Sequence, residues 1–312
     1  MNQGEVLLEV VRSEMVESIH SGHLLILDSS GRSVLEIGDL DHLIFPRSAV
    51  KSLQASAMVR SGLRLNGEQL AVVCASHAGS ERHLTVIRSI LQGAGLDESA
   101  LKNTADRPLG TAERFAWGEK PATSLAANCS GKHSGMVATC VKNSWDLETY
   151  KNPHHPLQRA IRDEFELLSG EPITKVGVDG CGAPLFAISL RALAKAIRHL
   201  TLSDDPVHQE VVNACRTNPY FVSGAGRLPT VLMEKVEGLF VKDGAEGVMV
   251  MSLRDGSTVV WKMSDGSQRG ASVLAAASLA RLEVKVELEH EKVYGDSRVV
   301  GDIRASRIIH HV

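Results

Sequence analysis

Short apolar runs separated by turn residues fill the first part of the chain. Residues 5–12, 16–19, 23–28 and 33–37 carry the valine, leucine and isoleucine that are typical of strands. The Ser-Ser-Gly sequence at 29–31 has the composition of a tight turn. The pattern therefore predicts a small strand meander.

Helical spacing of apolar residues begins after Phe45-Pro46, because proline is favoured at the first position of a helix. The predicted helices cover residues 47–63, 81–92, 155–168, 188–200, 206–217 and 270–282, and a further helix runs from the polar segment at 128–136 to about residue 141. The further predicted strands cover residues 70–75, 173–178, 239–242, 248–253, 257–263 and a region around 284–288. We expect a mixed α/β (α+β) fold in which a sheet packs with helices. No linker or internal repeat divides the chain, so a single domain over residues 1–312 is expected.

Composition indicates an ordinary globular protein. Hydrophobic residues make up 43% and charged residues 23%, and the net charge is -3 from 34 basic and 37 acidic residues. Because no basic block stands out, we expect neither nucleic-acid nor membrane-surface binding. No apolar run approaches the ~20 residues of a membrane span, and the N-terminus lacks a signal-peptide pattern. A cytoplasmic location follows as an expectation.

Cysteine usage agrees with a reducing compartment. The five cysteines are odd in number and widely spread, which favours reduced thiols over a disulfide framework. They are Cys74, Cys129, Cys140, Cys181 and Cys215.

The first candidate chemistry is Ser48-x-x-Lys51, which places a hydroxyl and an amine on one face of the predicted helix. Serine needs a base to act as a nucleophile, and a lysine with a lowered pKa can serve. The spacing alone is a weak signal, since Ser99-x-x-Lys102 has it too. The alternative is a serine at a helix start and a solvated lysine.

The densest polar segment is Asn-Cys-Ser-Gly-Lys-His-Ser-Gly-Met at 128–136, and Cys181 lies in a second glycine-rich segment at 177–184. Two thiolates suit zinc, but no Cys-x-x-Cys pair is present, so spacing alone favours buried free cysteines. A phosphate loop around Gly131-Lys132 is excluded because Ala126 and His133 replace the required glycine and Ser/Thr.

Two other residues have simple structural explanations. Ser80 follows Ser76-His77-Ala78-Gly79 and could cap the helix that begins near Glu81. Lys262 precedes Asp265-Gly266, which is the position of a strand-end lysine before a hairpin turn.

Taken together, the segments resemble the rhizobial-type L-asparaginases, also called class 3 or asparaginase II-like. The resemblance runs over nearly the whole chain, and segments 128–136 and 178–184 are the most specific parts. The segments that carry it are 46–51, 76–79, 128–136, 178–184, 224–227, 242–247 and 262–266. At 228–229 the chain has Leu-Pro where the family pattern has Phe and Asp.

The resemblance implies a fold similar to serine β-lactamases and SxxK glutaminases, a homodimer, and hydrolysis of L-asparagine to L-aspartate and ammonia. It implies catalytic roles for Ser48 and Lys51, with a second pair on Ser80 and Lys262. In this reading Lys262 neighbours Lys51 and helps to keep its amine neutral.

The resemblance also implies a zinc site. Its ligands are Cys129, Lys132 and Cys181. Arg47 and Asp179 are the expected partners of the substrate's carboxylate and amine, and His133 is a further substrate-binding candidate. Two alternatives remain: another SxxK acyl hydrolase, although Ser-x-Asn and Lys-Thr-Gly are missing, and a zinc-stabilised binding protein for small amino acids.

Overall fold

The computed structural model describes residues 4–310. Eight strands form the central sheet: β1 (Glu5–Arg12), β2 (Met15–Leu27), β3 (Ser33–Ile37), β8 (Phe240–Gly244), β9 (Val248–Ser252), β10 (Thr258–Met263), β11 (Lys292–Gly295) and β12 (Arg298–Ala305). All their pairings are antiparallel, in the order β11-β12-β1-β2-β10-β9-β8, with β3 on β2. Two small sheets pair β4 (Leu43–Ile44) with β7 (Ile188–Ser189) and β5 (Val176–Val178) with β6 (Pro184–Phe186).

The two ends of the described chain meet in the middle of this sheet. Strand β1 lies between β2 and β12, so Val10 faces Ser18 on one side and Ile303 on the other. Strands β8 to β10 are buried almost throughout, which means that helices cover the sheet there.

Helices account for most of the remaining chain. They are α1 (Lys51–Arg60), α2 (Gly67–Val73), α3 (Glu81–Gly93), α4 (Thr111–Trp117), α5 (Ser130–Lys142), α6 (Pro156–Ser169), α7 (Leu190–Leu202), α8 (Pro206–Thr217), α9 (Pro219–Val222), α10 (Leu228–Lys235), α11 (Ala271–Ala280) and α12 (Arg307–His310). Helix α7 packs on β2, β9 and β10, and α11 packs on β12. No helix in the described range is long and apolar enough to cross a membrane.

Helix α1 is the centre of the helical part. It packs among α5, α6 and α8, and every residue from Lys51 to Val59 is buried. A helix buried on all sides must satisfy each of its polar groups inside the protein. Lys51 is therefore held in the interior from the first residue of this helix.

A buried ion cluster joins α1, α6 and α8. Glu164 accepts hydrogen bonds from Arg60 at 2.9 Å and pairs with His208 at 2.6 Å, and Glu164 and His208 are both buried. Burial works to raise the pKa of Glu164, but the hydrogen bonds from His208 and Arg60 outweigh it and lower that pKa below its ordinary value. Glu164 is therefore held as a buried carboxylate.

The fold class is confirmed, because a mixed α/β arrangement packs a sheet with helices. Two predicted strands are wrong. Residues 70–75 fall mainly in helix α2, since a short run buried on every side carries no period that separates strand from helix. The region around 284–288 contains no strand; the last strands are β11 and β12. The single domain over residues 1–312 stays a prediction.

Candidate active site

Ser48 and Lys51 lie at the entrance to α1. Residues Arg47–Val50 form a 3-10 turn after Pro46, and the backbone N–H of Lys51 donates to the carbonyl oxygen of Ser48. Ser48 is half-buried, whereas the side chain of Lys51 is buried. The turn therefore places the hydroxyl toward the surface and the amine in the interior.

Ser48 lines a cavity of about 320 Å³. The cavity walls also include residues from the segments singled out in the sequence: Arg47, Asn128, Cys129, Asp179, Gly180 and Cys181. Size does not distinguish this cavity, since one of about 640 Å³ lies beside Asp41 and Phe45. Its reactive groups distinguish it, because a hydroxyl, two thiols and an Arg–Asp pair share one space.

Two buried lysines converge on the hydroxyl of Ser76. Lys51 Nζ lies 2.5 Å from the carbonyl oxygen of Ala75 and 3.3 Å from Ser76 Oγ. Lys242 Nζ, from strand β8, lies 3.0 Å from the same Ser76 Oγ. Ser76 is buried between α2 and α3, and its N–H donates to Val222 O at 3.1 Å. Lys51, Ser76 and Lys242 therefore form a buried Lys51–Ser76–Lys242 row.

Burial is the main influence on both amines. It lowers the pKa of Lys51 to about 8, and the positive charge of Lys242 adds to that shift while the cysteine thiolates oppose it. Burial also lowers the pKa of Lys242, but Asp243 opposes that shift by charge and hydrogen bond. Lys51 is thus the amine best suited to be neutral near physiological pH.

Arg47 and Asp179 form an ion pair at the cavity wall. Arg47 Nε donates to Asp179 Oδ1 at 2.8 Å, and Glu246 Oε1 is 3.9 Å from the same guanidinium. The backbone of Arg47 has φ +53°, a conformation that non-glycine residues adopt rarely and at an energetic cost. The guanidinium of Arg47 is therefore held beside Ser48 at the cost of a strained backbone conformation.

A cluster of sulfur and nitrogen atoms lies behind the same cavity. The thiols of Cys129 and Cys181 and a ring nitrogen of His133 are all within 4.8 Å of one another. Lys132 Nζ is 3.2 Å from Cys181 Sγ. Helix α5 supplies two of these groups, Lys132 and His133, and Cys129 is the residue just before it. The helix passes close to α2 at Gly131, where a Cβ would lie 2.1 Å from Val72 O.

The donor set fits a zinc ion. His133 Nδ1 lies 2.7 Å from Tyr150 Oη, while His133 Nε2 is buried and has no hydrogen-bond partner among the described residues. Burial lowers the pKa of His133 to about 4, so the ring is neutral and one nitrogen can carry a lone pair. The hydrogen bond from Cys129 lowers the pKa of Cys181, and the charge of Lys132 adds to this. Two thiolates with an imidazole are ligands that zinc prefers.

The L-asparaginase II family model matches residues 8–305 of the chain. The chain belongs to the L-asparaginase II family. None of the curated proteins compared with it matches.

Solved structures offer distant likenesses. A putative β-lactamase from Bacteroides dorei is 11% identical over 78% of this chain and 84% of that chain, with TM-score 0.42. A β-lactamase from Mycobacterium bovis is 11% identical over 84% and 92%, with TM-score 0.42. Mglu in its native form is 14% identical over 91% and 67%, with TM-score 0.36. Likenesses this weak carry no information about activity.

Ser80 and Lys262, the expected second serine–lysine pair, make their hydrogen bonds to other residues in this L-asparaginase II family member. Ser80 caps α3, and its Oγ lies 2.7 Å from both His83 Nδ1 and Tyr220 Oη. Lys262 Nζ donates to the carbonyl oxygen of Met263. Across residues 4–310, no hydrogen bond joins Ser80 to Lys262 or either one to Lys51. Ser76 instead contacts both Lys51 and Lys242, and Ser76 and Lys242 both lie in segments that carry the resemblance.

His133 also differs from its expected place. It is buried beside the thiols and is not part of the described cavity wall, so the structure groups it with the candidate metal ligands. The cavity wall also includes Thr104 to Asp106 and Ala245, none of which the sequence indicated as a site residue. Residues 104–106 belong to an irregular segment with no motif, whereas Ala245 lies in the matched segment 242–247.

Proposed function

We propose that the chain is an L-asparaginase that hydrolyses the side-chain amide of L-asparagine to L-aspartate and ammonia. The observation that carries the proposal is the half-buried Ser48 on a cavity wall, one turn from a buried lysine whose pKa is lowered to about 8. Membership of the L-asparaginase II family supports this substrate.

In the proposed reaction, Ser48 Oγ attacks the side-chain amide carbon and Lys51 accepts the hydroxyl proton. The C–N bond then breaks, and a proton returns to the nitrogen so that ammonia leaves. A water molecule hydrolyses the resulting acyl-enzyme to aspartate and frees Ser48. The bridging position of Ser76 between two amines supports a role for Ser76 in positioning Lys51, with Lys242 as its second neighbour.

Arg47 and Asp179 are proposed to hold the amino-acid end of the substrate. Their opposite charges at the cavity wall match an α-carboxylate and an α-ammonium group. The oxyanion needs fixed donors, and backbone N–H groups of the turn that carries Ala245 are candidates because this turn reaches the cavity.

Zinc is proposed to be held by Cys129, Lys132 and Cys181, with His133 as an additional nitrogen donor. When bound, the ion would tie the start of α5 to the turn that carries Cys181 and add positive charge beside the cavity. A lysine ligand must be deprotonated, so we expect zinc occupancy to fall at lower pH. A homodimer and a cytoplasmic location remain part of the proposal.

The decisive experiment measures ammonia release from asparagine and from glutamine. Wild type should release ammonia, and Ser48→Ala should lose at least about a thousandfold in kcat. Ser52→Ala is the matched control, because Ser52 lies in α1 with a buried hydroxyl that has no partner among the described residues. Full activity in Ser48→Ala would exclude Ser48 as the nucleophile. Asparagine binding without ammonia release in wild type would favour the binding-protein alternative.

A further inference from the structure

The Lys51–Ser76–Lys242 row continues beyond Lys242. Lys242 Nζ donates to Asp243 O at 2.7 Å and to Asp243 Oδ1 at 2.5 Å, in addition to Ser76 Oγ at 3.0 Å. Asp243 Oδ2 in turn accepts from Arg227 Nη2 at 3.1 Å. The row thus ends in a carboxylate that lies between two cations.

The far end of the row is anchored to the loop that carries Ser76. Arg227 Nε donates to Ser223 Oγ at 2.8 Å, and Ser223 O accepts from the N–H of Ala78 at 2.7 Å. Arg227 and Asp243 are only 27% and 17% exposed, so solvent weakens their pairing little. A closed ring of contacts therefore holds Asp243 in place.

The hydrogen-bond acceptors around Lys242 and Lys51 differ, and this difference indicates which of the two amines is charged. An ammonium group has three N–H donors, and Lys242 has three acceptors, one of them a carboxylate. Lys51 has two acceptors and no carboxylate among its hydrogen-bond partners in the described chain. Burial works to raise the pKa of Asp243, but the charges of Lys242 and Arg227 outweigh it and lower that pKa to about 2.

This assignment fixes the direction of the hydrogen bonds at Ser76. Lys242, as a charged group, donates to Ser76 Oγ, and Lys51 Nζ donates to the same oxygen and to Ala75 O. A neutral amine has two N–H donors and one lone pair, so these two hydrogen bonds leave the lone pair of a neutral Lys51 free for the Ser48 proton. Neutral Lys51 is the form that can act as the base for Ser48.

We propose that Asp243, anchored by Arg227, is a positioning residue that fixes the charge and orientation of Lys242 and so leaves Lys51 as the amine that takes the Ser48 proton. The inference rests on the proposed role of Ser48. It assigns Asp243 a function for which neither the spacing nor the resemblance gave a reason.

The first test compares kcat and KM for wild type and Asp243→Asn. We expect kcat to fall about 10- to 100-fold, a part of what acid–base catalysis contributes, while KM changes less than about threefold. Asp243→Glu should recover most of the loss, because a cavity of about 410 Å³ beside Arg227 and Asp243 has room for one more methylene. Asp255→Asn is the control, since Asp255 serves a hairpin turn.

The second test separates this inference from the proposed substrate. The rate at which p-nitrophenyl acetate acylates Ser48 is measured with Ser48→Ala as the blank. Slower acylation in Asp243→Asn supports the inference even if wild type releases no ammonia from asparagine, in which case only the substrate assignment fails. Absence of both acylation and ammonia release in wild type would overturn both proposals.

Equal kcat and equal acylation rates in wild type and folded Asp243→Asn would overturn the inference and leave the asparaginase proposal standing. A rise in KM with unchanged kcat would also overturn it, because that result indicates a substrate contact. Circular dichroism checks folding. If Asp243→Asn does not fold, Arg227→Gln is the variant that tests the inference. Its kcat should fall about three- to tenfold, and an unchanged kcat would overturn the inference.

Discussion

Lys51 can accept a proton only when its amine is neutral, so the pH dependence of turnover reports its pKa. Burial is the largest cause that lowers this pKa from 10.5 to about 8, and the charge of Lys242 is the next. At pH 7 a pKa of about 8 leaves roughly one chain in ten with a neutral Lys51, against roughly one in three thousand at 10.5. The buried position therefore raises the active fraction roughly 300-fold.

We expect kcat to rise about tenfold per pH unit below pH 8 and to level off above it. Lys242→Gln removes a positive charge, so the pKa of Lys51 rises and the midpoint moves toward alkaline pH. The shift should be about one pH unit or less, because burial, the larger cause, remains. The Asp243 carboxylate, which has lost its Lys242 partner in this variant, also raises the pKa of Lys51.

The assay is ammonia release at saturating asparagine from pH 5.5 to 10. The parameter is kcat rather than kcat/KM, because the substrate's own α-amino group titrates in the same range. Lys195→Gln is the matched control, since Lys195 is exposed on α7. An acid limb that stays in place, or moves to lower pH, in Lys242→Gln would refute the electrostatic coupling of the two lysines.

Three further predictions test the site and its surroundings. Ser76→Ala should lower kcat at least about tenfold. Ser80→Ala should cost about 1 kcal/mol of stability, because a helix cap is lost, and should leave kcat within about twofold. The reverse result would favour Ser80, the serine expected from the sequence. Cys181→Ala should abolish zinc binding measured by mass spectrometry and Cys140→Ala should not, and fewer than about one zinc per ten wild-type chains would refute the site. Glu164→Gln should lower the unfolding free energy at pH 7 by about 2–3 kcal/mol in urea titrations. Because the pKa of Glu164 is lowered by folding, this difference should shrink as the pH falls below the unfolded value of 4.5, and a pH-independent difference would contradict the assignment.

The sequence predicted the elements that have a clear period. The amphipathic patterns at 155–168, 188–200 and 206–217 correspond to α6, α7 and α8, because each of these helices has one buried face. The apolar run at 70–75 predicts a strand wrongly, because residues 70–73 of α2 are all buried and show no polar face that would reveal the helical period. Local pattern identifies an element when solvent touches one face of it.

The site was predictable only as a set of segments. The resemblance predicted that Ser48, Cys129 and Cys181 belong to one site, and all three line the same cavity. It did not determine which of two serines four residues apart faces Lys51. Ser76 lies in the loop before α3 and contacts both lysines, whereas Ser80 caps α3. Both positions depend on tertiary contacts that a local sequence pattern does not contain.

The position of β1 between β2 and β12 has a consequence for synthesis on the ribosome. Strand β1 is synthesised before the other strands of this sheet, yet one of its edges stays unpaired until β12 has been made. Ser48 and Lys51 are made early, but Lys242, which contacts Ser76, reaches the interior only with β8. A nascent chain therefore carries Ser48, the proposed nucleophile, long before Lys242 is in place, and the sheet closes around β1 only after β12 has emerged.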